Sequence, residues 1–254
     1  MDKSAIDEVV KLLLRARRTG ERLDPLPAPL KPTNFADSRA VMDAVDRLLG
    51  EPILGTKIAA KPGAEVVFAP LQASRVFTSP ARIPLSLVPS RYMECEISFC
   101  VTRDLPPRET PYSEQEVYDS LEACPAFEIV DSRFRDLKSA MENTPYEFYA
   151  DHIANGAMVF GAFRKDWQTF DFGKTRVAMK QGARTIIEKI GGHPTVNPGK
   201  PAAVLANLRR TTTGLKAGTL VVTGSFTGYH PVEIDQPVIG EFEGFGTMEA
   251  TIVG

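Results

Sequence analysis

The sequence is poor in the residues that bind soft metals or form disulfides. It contains three cysteines, Cys95, Cys100 and Cys124, and three histidines, at positions 152, 193 and 230. The cysteines are odd in number and none lies in a CxxC pair, which is typical of thiols in a reducing compartment, so we expect a cytoplasmic protein. The histidines lack the spacing of a zinc site. A cysteine or histidine metal site is therefore not expected, which leaves oxygen ligands.

The chain also lacks long apolar runs and an excess of basic residues. No stretch reaches the roughly 18 apolar residues that a membrane span needs, so no membrane partner is expected. Lys and Arg number 30 against 32 Asp and Glu, a net charge of -2. Nucleic-acid-binding domains usually carry a basic patch, so no nucleic acid is expected. What is present is a hydrophobic fraction of 43% in 254 residues, enough for a sizeable core in one large or two small domains.

Two helical patterns occupy the first 50 residues. Apolar residues recur at helical spacing over 4–19 and stop at Gly20. After the proline-rich PLPAPLKPT, a second pattern, SRAVMDAVDRLLG, has Asp37 or Ser38 as its expected cap and ends at Gly50. We predict that residues 1–50 form a helical cap packed on a β-rich catalytic domain of residues 51–254, the two making one integrated unit.

Strand-like segments dominate after residue 52. PILGTKIAA, AFEIVDSRF and TLVVTGSFTG are typical of strands. YSEQEVYDSLEAC is predicted to be a helix, with Ser113 and Glu116 spaced as a capping box. Because the helices do not alternate regularly with the strands, the pattern predicts an α+β fold around a strand-rich core.

Three glutamates in the strand-like segments are candidate metal ligands. In YMECEISF, Glu94 and Glu96 lie on one face of a strand, about 7 Å apart. The alternation alone favours an ordinary solvated face, whereas the alternative is a site for a hard cation such as Mg²⁺. Glu128, in AFEIVD, has apolar neighbours on both faces and is predicted to be buried, either paired with an arginine or Lys138 or bound to a metal.

Two further segments offer polar groups. Lys57, inside the apolar LGTKIAA, must extend to solvent, pair, or lower its pKa, and a lowered pKa would suit acid–base chemistry. In DHIANGAMVFG, Asp151 and Asn155 are residue types that favour turns. The TGSFTG turn offers N–H groups and hydroxyls that could hold an anion, but no GxxxxGK[ST] motif is present, so a nucleotide site is not expected.

Taken in order, these segments resemble one known group of enzymes. The series is GTK, ECE, AFEIVD, DHIANG before VFG, PAAVLAN, AGTLVVTGSFTG and a glycine-rich terminal hairpin. It resembles the 2-keto-4-pentenoate hydratase and 4-oxalocrotonate decarboxylase group of the fumarylacetoacetate hydrolase-like superfamily, over residues 35–254. The resemblance implies a mixed β-roll or barrel core of the fumarylacetoacetate hydrolase C-terminal type, with peripheral helices. It also implies one Mg²⁺ or Mn²⁺ held by Glu94, Glu96 and Glu128.

The resemblance implies roles for further residues. Lys57 matches the active-site lysine of the group, and Asp151 matches an aspartate to which we assign a supporting catalytic role. The turn residues that match the substrate-lining part of the site are Thr223, Gly224 and Ser225.

One position departs from the family pattern. Between the lysine and the ECE strand the group has a P-D-[FY]-G segment whose aspartate serves acid–base steps, and here LQAS places Gln72 there. An amide can hold a water molecule but cannot accept its proton at neutral pH. Gln72 is therefore expected either to bind a different substrate or to leave the base function to another group.

The activity implied is that of a hydro-lyase. It would add water to a 2-hydroxy-2,4-dienoic acid and give a 4-hydroxy-2-oxo acid. The same metal site would also suit a 4-oxalocrotonate-type decarboxylase or an acylpyruvate hydrolase, although the hydrolases use a His and Glu pair and no histidine lies close in sequence to Lys57. An inactive partner subunit is the non-enzyme alternative, favoured by Gln72 alone. The expected ligand is a small 2-oxo or 2-hydroxydienoic acid, and analogy with the group implies a homo-oligomer.

Overall fold

The computed structural model describes residues 1–254. The helices are α1 Lys3–Thr19, α2 Phe35–Leu49, α3 Glu114–Tyr118, α4 Leu137–Asn143, α5 Pro145–Ala150 and α6 Gly199–Arg209. The strands are β1 Ile53–Ala59, β2 Val67–Gln72, β3 Val76–Thr78, β4 Ala81–Pro84, β5 Tyr92–Val101, β6 Leu121–Val130, β7 Asn155–Phe160, β8 Arg176–Gln181, β9 Arg184–Ile190, β10 Leu220–Ser225, β11 His230–Pro231, β12 Val238–Phe242 and β13 Gly246–Val253. The predicted mixture of helices with a strand-rich core is confirmed.

The larger sheet has eight strands in the order β2-β1-β10-β5-β6-β7-β3, with β11 also paired to β5. Its outermost strands, β2 and β3, are joined by a turn of only three residues, Ala73–Arg75. Since so short a connection spans both edges, the sheet curls on itself. Its two faces are therefore an outer face and a concave inner face.

The outer face of the curled sheet carries the main hydrophobic core. Alternate residues of β5 and β6, such as Cys95, Ile97 and Phe127, are fully buried there. The second sheet, β4-β13-β12-β8-β9, packs against β6 and β7 and shares this core. The side chains of β5 that alternate with these point to the concave face, where the predicted acidic residues lie.

The N-terminal helices and α5 close over the concave side. α2 contacts α1, α5 and β2, and a second core cluster is built from these helices together with parts of β2 and β6. Gly20 and Gly50 adopt left-handed backbone at the ends of α1 and α2, as the sequence pattern predicts. The cap of α2 was predicted wrongly: the helix begins at Phe35, and the side chain of Asn34 accepts a hydrogen bond from the Asp37 backbone N–H.

The helix predicted over residues 112–124 is much shorter. Its capping box is present, but α3 ends at Tyr118, and Leu121 already pairs with Val101 of β5. Ten consecutive pairs between β5 and β6 outweigh the local preference for helix here. None of the helices combines the length and the apolar character that crossing a bilayer requires.

Candidate active site and metal centre

Three carboxylates meet on the concave face of the curled sheet. Glu94 of β5 lies directly opposite Glu128 of β6, and Glu96 follows two residues along β5 on the same face. One oxygen from each side chain lies within 4.8 Å of the others. Glu96 and Glu128 are fully buried and Glu94 is 8% exposed. The predicted convergence of the three glutamates is therefore present in the structure, and the solvated-face interpretation of YMECEISF is wrong.

Burial and mutual repulsion disfavour the ionised forms of the carboxyls in this cluster. Burial and the neighbouring Glu128 carboxylate raise the pKa of Glu94 to about 8, and burial, Glu128 and Glu94 raise the pKa of Glu96 well above its usual range. Glu96 Oε1 and Glu128 Oε2 are buried without a hydrogen-bond partner. Unpartnered carboxylate oxygens in a close group are the donor set that Mg²⁺ and Mn²⁺ prefer. The residues present therefore fit a hard divalent cation.

Lys57 is the cation directed at this cluster. From β1 it reaches across the concave face, and its Nζ donates to Glu128 Oε1 at 2.5 Å and to the Ile153 carbonyl at 3.1 Å. Burial lowers the pKa of Lys57, but Glu128, Glu94 and Glu96 outweigh burial, and the net effect raises it. The lysine is thus paired with Glu128, which is one of the three alternatives that the sequence leaves open.

The TGS turn at the end of β10 contacts two of the three glutamates. The Gly224 N–H donates to Glu96 Oε2 at 3.2 Å, and the Ser225 hydroxyl, which accepts from the Gly228 N–H, offsets part of the rise in the pKa of Glu94. Thr223 points elsewhere, since its hydroxyl donates to the Ile97 carbonyl at 3.1 Å. In this structure the turn orients Glu96 through Gly224, while Thr223 fastens the turn to β5.

Asp151 is fully buried and has both oxygens occupied. Arg133 Nε donates to Oδ1 at 2.5 Å, while the Arg133 N–H and the Ser132 hydroxyl donate to Oδ2 at 2.7 and 3.0 Å. These contacts hold the chain that connects β6 to the turn before β7. The geometry agrees with the supporting role that the resemblance implies.

Gln72 is buried at the end of β2 within a group that we call the side-chain ring, formed by Arg17, Asp46, Gln72 and His152. Its Oε1 accepts from Arg17 Nη1 at 3.2 Å, and its Nε2 donates to Asp46 Oδ1 at 2.6 Å. His152 contacts both Asp46 and Arg17, at 2.9 Å each. Both groups of the Gln72 amide are thus used within the protein.

The partners of Gln72 are not evident from the sequence. His152 directly follows Asp151 in DHIANG, a position that could have drawn attention to it. Arg17 and Asp46 lie in amphipathic helices among many other charged residues, and no sequence pattern distinguishes them. The fold brings all three together because α1 packs on α2 and α2 packs on β2.

Comparisons with known proteins agree with this arrangement. No family model matches the chain. The chain is 27% identical over 262 residues to a 2-hydroxyhexa-2,4-dienoate hydratase of Comamonas testosteroni, covering 97% of both proteins. It is 24% identical over 266 residues to a 2-keto-4-pentenoate hydratase of Burkholderia vietnamiensis, covering 98% of both.

Solved structures share the fold at lower identity. A 4-oxalocrotonate decarboxylase from Pseudomonas putida G7, complexed with magnesium and adipate, superposes with a TM-score of 0.83 at 18% identity, over 100% of this chain and 99% of that one. A fumarylpyruvate hydrolase from Pseudomonas aeruginosa, in complex with Mn²⁺ and pyruvate, gives a TM-score of 0.56 at 13% identity, over 80% of this chain and 91% of that one. The predicted resemblance to the 2-keto-4-pentenoate hydratase and 4-oxalocrotonate decarboxylase group is therefore confirmed, and the chain has the fold of the fumarylacetoacetate hydrolase-like superfamily.

Proposed function

We propose that this protein is a hydro-lyase that depends on a divalent metal. It would add water to a 2-hydroxy-2,4-dienoic acid, such as 2-hydroxypenta-2,4-dienoate, and release a 4-hydroxy-2-oxo acid. The relatives that match over nearly the whole chain are named as hydratases of such compounds, which supports the reaction class. The concave face offers the acidic cluster and the single lysine that such a reaction needs.

The observation that carries the proposal is the buried group of three carboxylates faced by one lysine. Glu94, Glu96 and Glu128 would hold Mg²⁺ or Mn²⁺. When bound there, the cation would polarise the 2-oxo group of the substrate and offset the charge that develops on its oxygen. The Gly224 N–H would keep Glu96 in place, and Gly224 and Ser225 would line the substrate, whereas the hydroxyl of Thr223, which the resemblance also assigns to the substrate, is bonded to the Ile97 carbonyl.

Lys57 would handle the proton at carbon. Its ammonium group, held between Glu128 and the Ile153 carbonyl, is a proton donor at neutral pH. Protonation of the dienol at its terminal carbon, with loss of the proton of the 2-hydroxyl, would give an unsaturated ketone. Water would then add across its C3=C4 bond, with the hydroxyl on C4 and the proton on C3. Asp151 would act indirectly, through Arg133 and the backbone that precedes β7.

The helices of residues 1–50 would form a cap over the catalytic domain of residues 51–254. α1 and α2 contribute Arg17 and Asp46 to contacts with Gln72 at the end of β2. Such a cap would limit the entry of water to the concave face. It would also make the two segments one functional unit.

The assay that tests the proposal uses the purified protein with Mg²⁺ and 2-hydroxypenta-2,4-dienoate. We expect loss of the dienol absorbance and a 4-hydroxy-2-oxo acid as product in NMR spectra. Release of CO₂ from 4-oxalocrotonate without hydration would replace the hydratase by a decarboxylase. No turnover of the dienoate or of its dicarboxylic analogue would instead support an inactive partner subunit.

A further inference from the structure

The donors and acceptors of the side-chain ring can be assigned, and Gln72 Nε2 and His152 Nε2, which lie 3.2 Å apart, then both donate to Asp46 Oδ1 rather than to each other. Arginine can only donate, so the contact of Arg17 Nη2 with His152 Nδ1, at 2.9 Å, makes Nδ1 an acceptor. The proton of the imidazole is therefore on Nε2, which donates to Asp46 Oδ1 at 2.9 Å. Gln72 completes the ring by accepting from Arg17 and donating to the same Asp46 oxygen.

This assignment leaves His152 without a free lone pair. Burial and the nearby Arg17 charge lower the pKa of His152 to about 4, so the imidazole is neutral at pH 7. A neutral histidine with both nitrogens engaged can hold a structure together, but it cannot take a proton from substrate or water. The ring is thus suited to positioning other groups.

The ring holds an unusual piece of backbone. His152, Ile153 and Ala154 have φ values of 55°, 53° and 51°, three consecutive left-handed residues without a glycine. Left-handed backbone is sparsely populated for such residues and persists only where the surroundings impose it. His152 is 1% exposed and is fastened at both ring nitrogens, so it imposes this conformation from the first residue of the turn.

The same turn meets the site at Lys57. The Ile153 carbonyl accepts from Lys57 Nζ at 3.1 Å, in addition to the Glu128 contact at 2.5 Å. Its direction depends on the left-handed conformation, because a change of backbone at this residue would rotate the carbonyl away. Orientation of the ammonium group therefore depends on His152, whose hydrogen bonds go to Arg17 and Asp46 and not to Lys57.

We propose that Arg17, Asp46, Gln72 and His152 are positioning residues, which clamp the left-handed turn so that the Ile153 carbonyl aligns Lys57 for proton transfer. This inference rests on the role of Lys57 in the proposed function. It also accounts for the amide at position 72, since an amide can both accept from Arg17 and donate to Asp46. A carboxylate there would face the Asp46 carboxylate and break the ring.

The test first removes the hydrogen bond between Gln72 and Asp46, and then restores it with donor and acceptor exchanged. Gln72→Glu keeps the acceptor for Arg17 but removes the donor to Asp46. We expect kcat with Mg²⁺ and 2-hydroxypenta-2,4-dienoate to fall about tenfold or more, while KM changes less than about twofold. Adding Asp46→Asn supplies an amide donor from the other side and leaves the charge of the pair unchanged. The double variant should therefore recover most of the lost kcat. Asp46→Asn alone should have a lower kcat than the wild type.

A second readout does not depend on turnover. Acetylation of Lys57 by acetic anhydride in the metal-free protein, followed by peptide mass spectrometry, should be faster in Gln72→Glu than in the wild type and should return toward the wild-type rate in the double variant. Full kcat and an unchanged Lys57 acetylation rate in Gln72→Glu would overturn the positioning role. A double variant that is no better than Gln72→Glu in either readout would overturn it too. An inactive wild type with the predicted acetylation pattern would instead reject the proposed reaction and leave the clamp supported.

Discussion

At Lys57, two electrostatic effects oppose each other. Burial of the Lys57 side chain favours the neutral amine and lowers its pKa. The three nearby carboxylates favour the charged ammonium form, and the net effect is a raised pKa. Only one of the three, Glu128, is bonded to the lysine directly. The lysine therefore compensates the Glu128 carboxylate, and a divalent cation would be needed to stabilise the ionised forms of Glu94 and Glu96.

Replacing Lys57 by Met should separate catalysis from metal binding. We expect Lys57→Met to lose about 100-fold or more of kcat, as is common when a general acid or base is removed. Mg²⁺ should bind at least as tightly as in the wild type, because a competing positive charge is gone. Steady-state kinetics and calorimetric titration with Mg²⁺ measure the two effects. Lys180→Met, at an exposed position of β8, is the matched control; wild-type turnover in Lys57→Met would remove Lys57 from the mechanism.

Replacing Glu128 by Gln should remove the response to metal. In the wild type, saturating Mg²⁺ should raise Tm, since a ligand bound only to the folded state at 100 times its Kd stabilises by about 2.7 kcal/mol. Glu128→Gln should show little or no gain in Tm with Mg²⁺. Glu122→Gln, on the same strand but away from the acidic cluster, should keep the full gain. An equal gain in both variants would contradict the three-carboxylate site.

How far the site can be predicted differs from residue to residue. Strand alternation places Glu94 and Glu96 on one face but favours a solvated one, so their role as ligands was implied by the family resemblance. The burial of Glu128 follows from its place in an apolar strand. The state of Lys57 does not follow, since its partners lie on strands far away in sequence. His152 and Asp46 are harder still: they are 106 residues apart, and only the packing of α2 over β2 joins them.

At the scale of elements, strand pairing decides what local patterns leave open. Ser113 and Glu116 start α3 as their spacing predicts, yet residues 121–124 join β6 because β5 offers them partners. The strand β9 gives little signal, being mostly exposed with weak alternation, and it forms by pairing with β8. Local sequence patterns thus locate the ends of helices and the buried strands, whereas an exposed edge strand forms only because a neighbouring strand pairs with it.

The parallel pairing of β1 with β10 offers a test at this scale. Gly55 lies opposite Leu220, and a Cβ at Gly55 would overlap the Leu220 backbone carbonyl. Because backbone cannot move aside without breaking the pairing that carries Lys57 and the TGS turn, Gly55→Ala should destabilise the protein by about 1–3 kcal/mol or more. Chemical denaturation measures this change.

Gly173→Ala is the control for that comparison. A Cβ there would meet only side-chain atoms, Val196 Cγ1 at 3.1 Å and Asp171 Oδ1 at 3.2 Å, which can shift by small rotations. Its effect on the free energy of unfolding should be clearly smaller than that of Gly55→Ala. Equal effects would show that the approach of β10 to β1 is looser than the structure indicates.

For the molecule as a whole, buried histidines connect stability to pH. His193, 5% exposed, donates from Nε2 to the Thr223 carbonyl at 3.0 Å, and its Nδ1 accepts from the Thr195 N–H at 3.3 Å. It thereby supports the TGS turn from outside the acidic cluster. Burial lowers the pKa of His193 from 6.5 to about 4. Between these values the unfolded chain binds a proton that the folded protein does not, so the contribution of His193 to stability is complete above pH 6.5 and is lost as the pH falls toward 4.

This linkage predicts a specific effect of His193→Gln. The glutamine amide can still donate to the Thr223 carbonyl but does not titrate. Between pH 7 and pH 5 the wild type should lose about 2 kcal/mol of unfolding free energy through His193, a loss that the variant escapes. The glutamates of the site titrate in both proteins and cancel in the difference. Urea unfolding of both proteins at pH 7 and pH 5 measures this effect. On going from pH 7 to pH 5, the unfolding free energy of His193→Gln should rise by about 2 kcal/mol relative to that of the wild type. An equal difference between the two proteins at both pH values would mean that His193 is protonated at pH 5 in the folded protein as well.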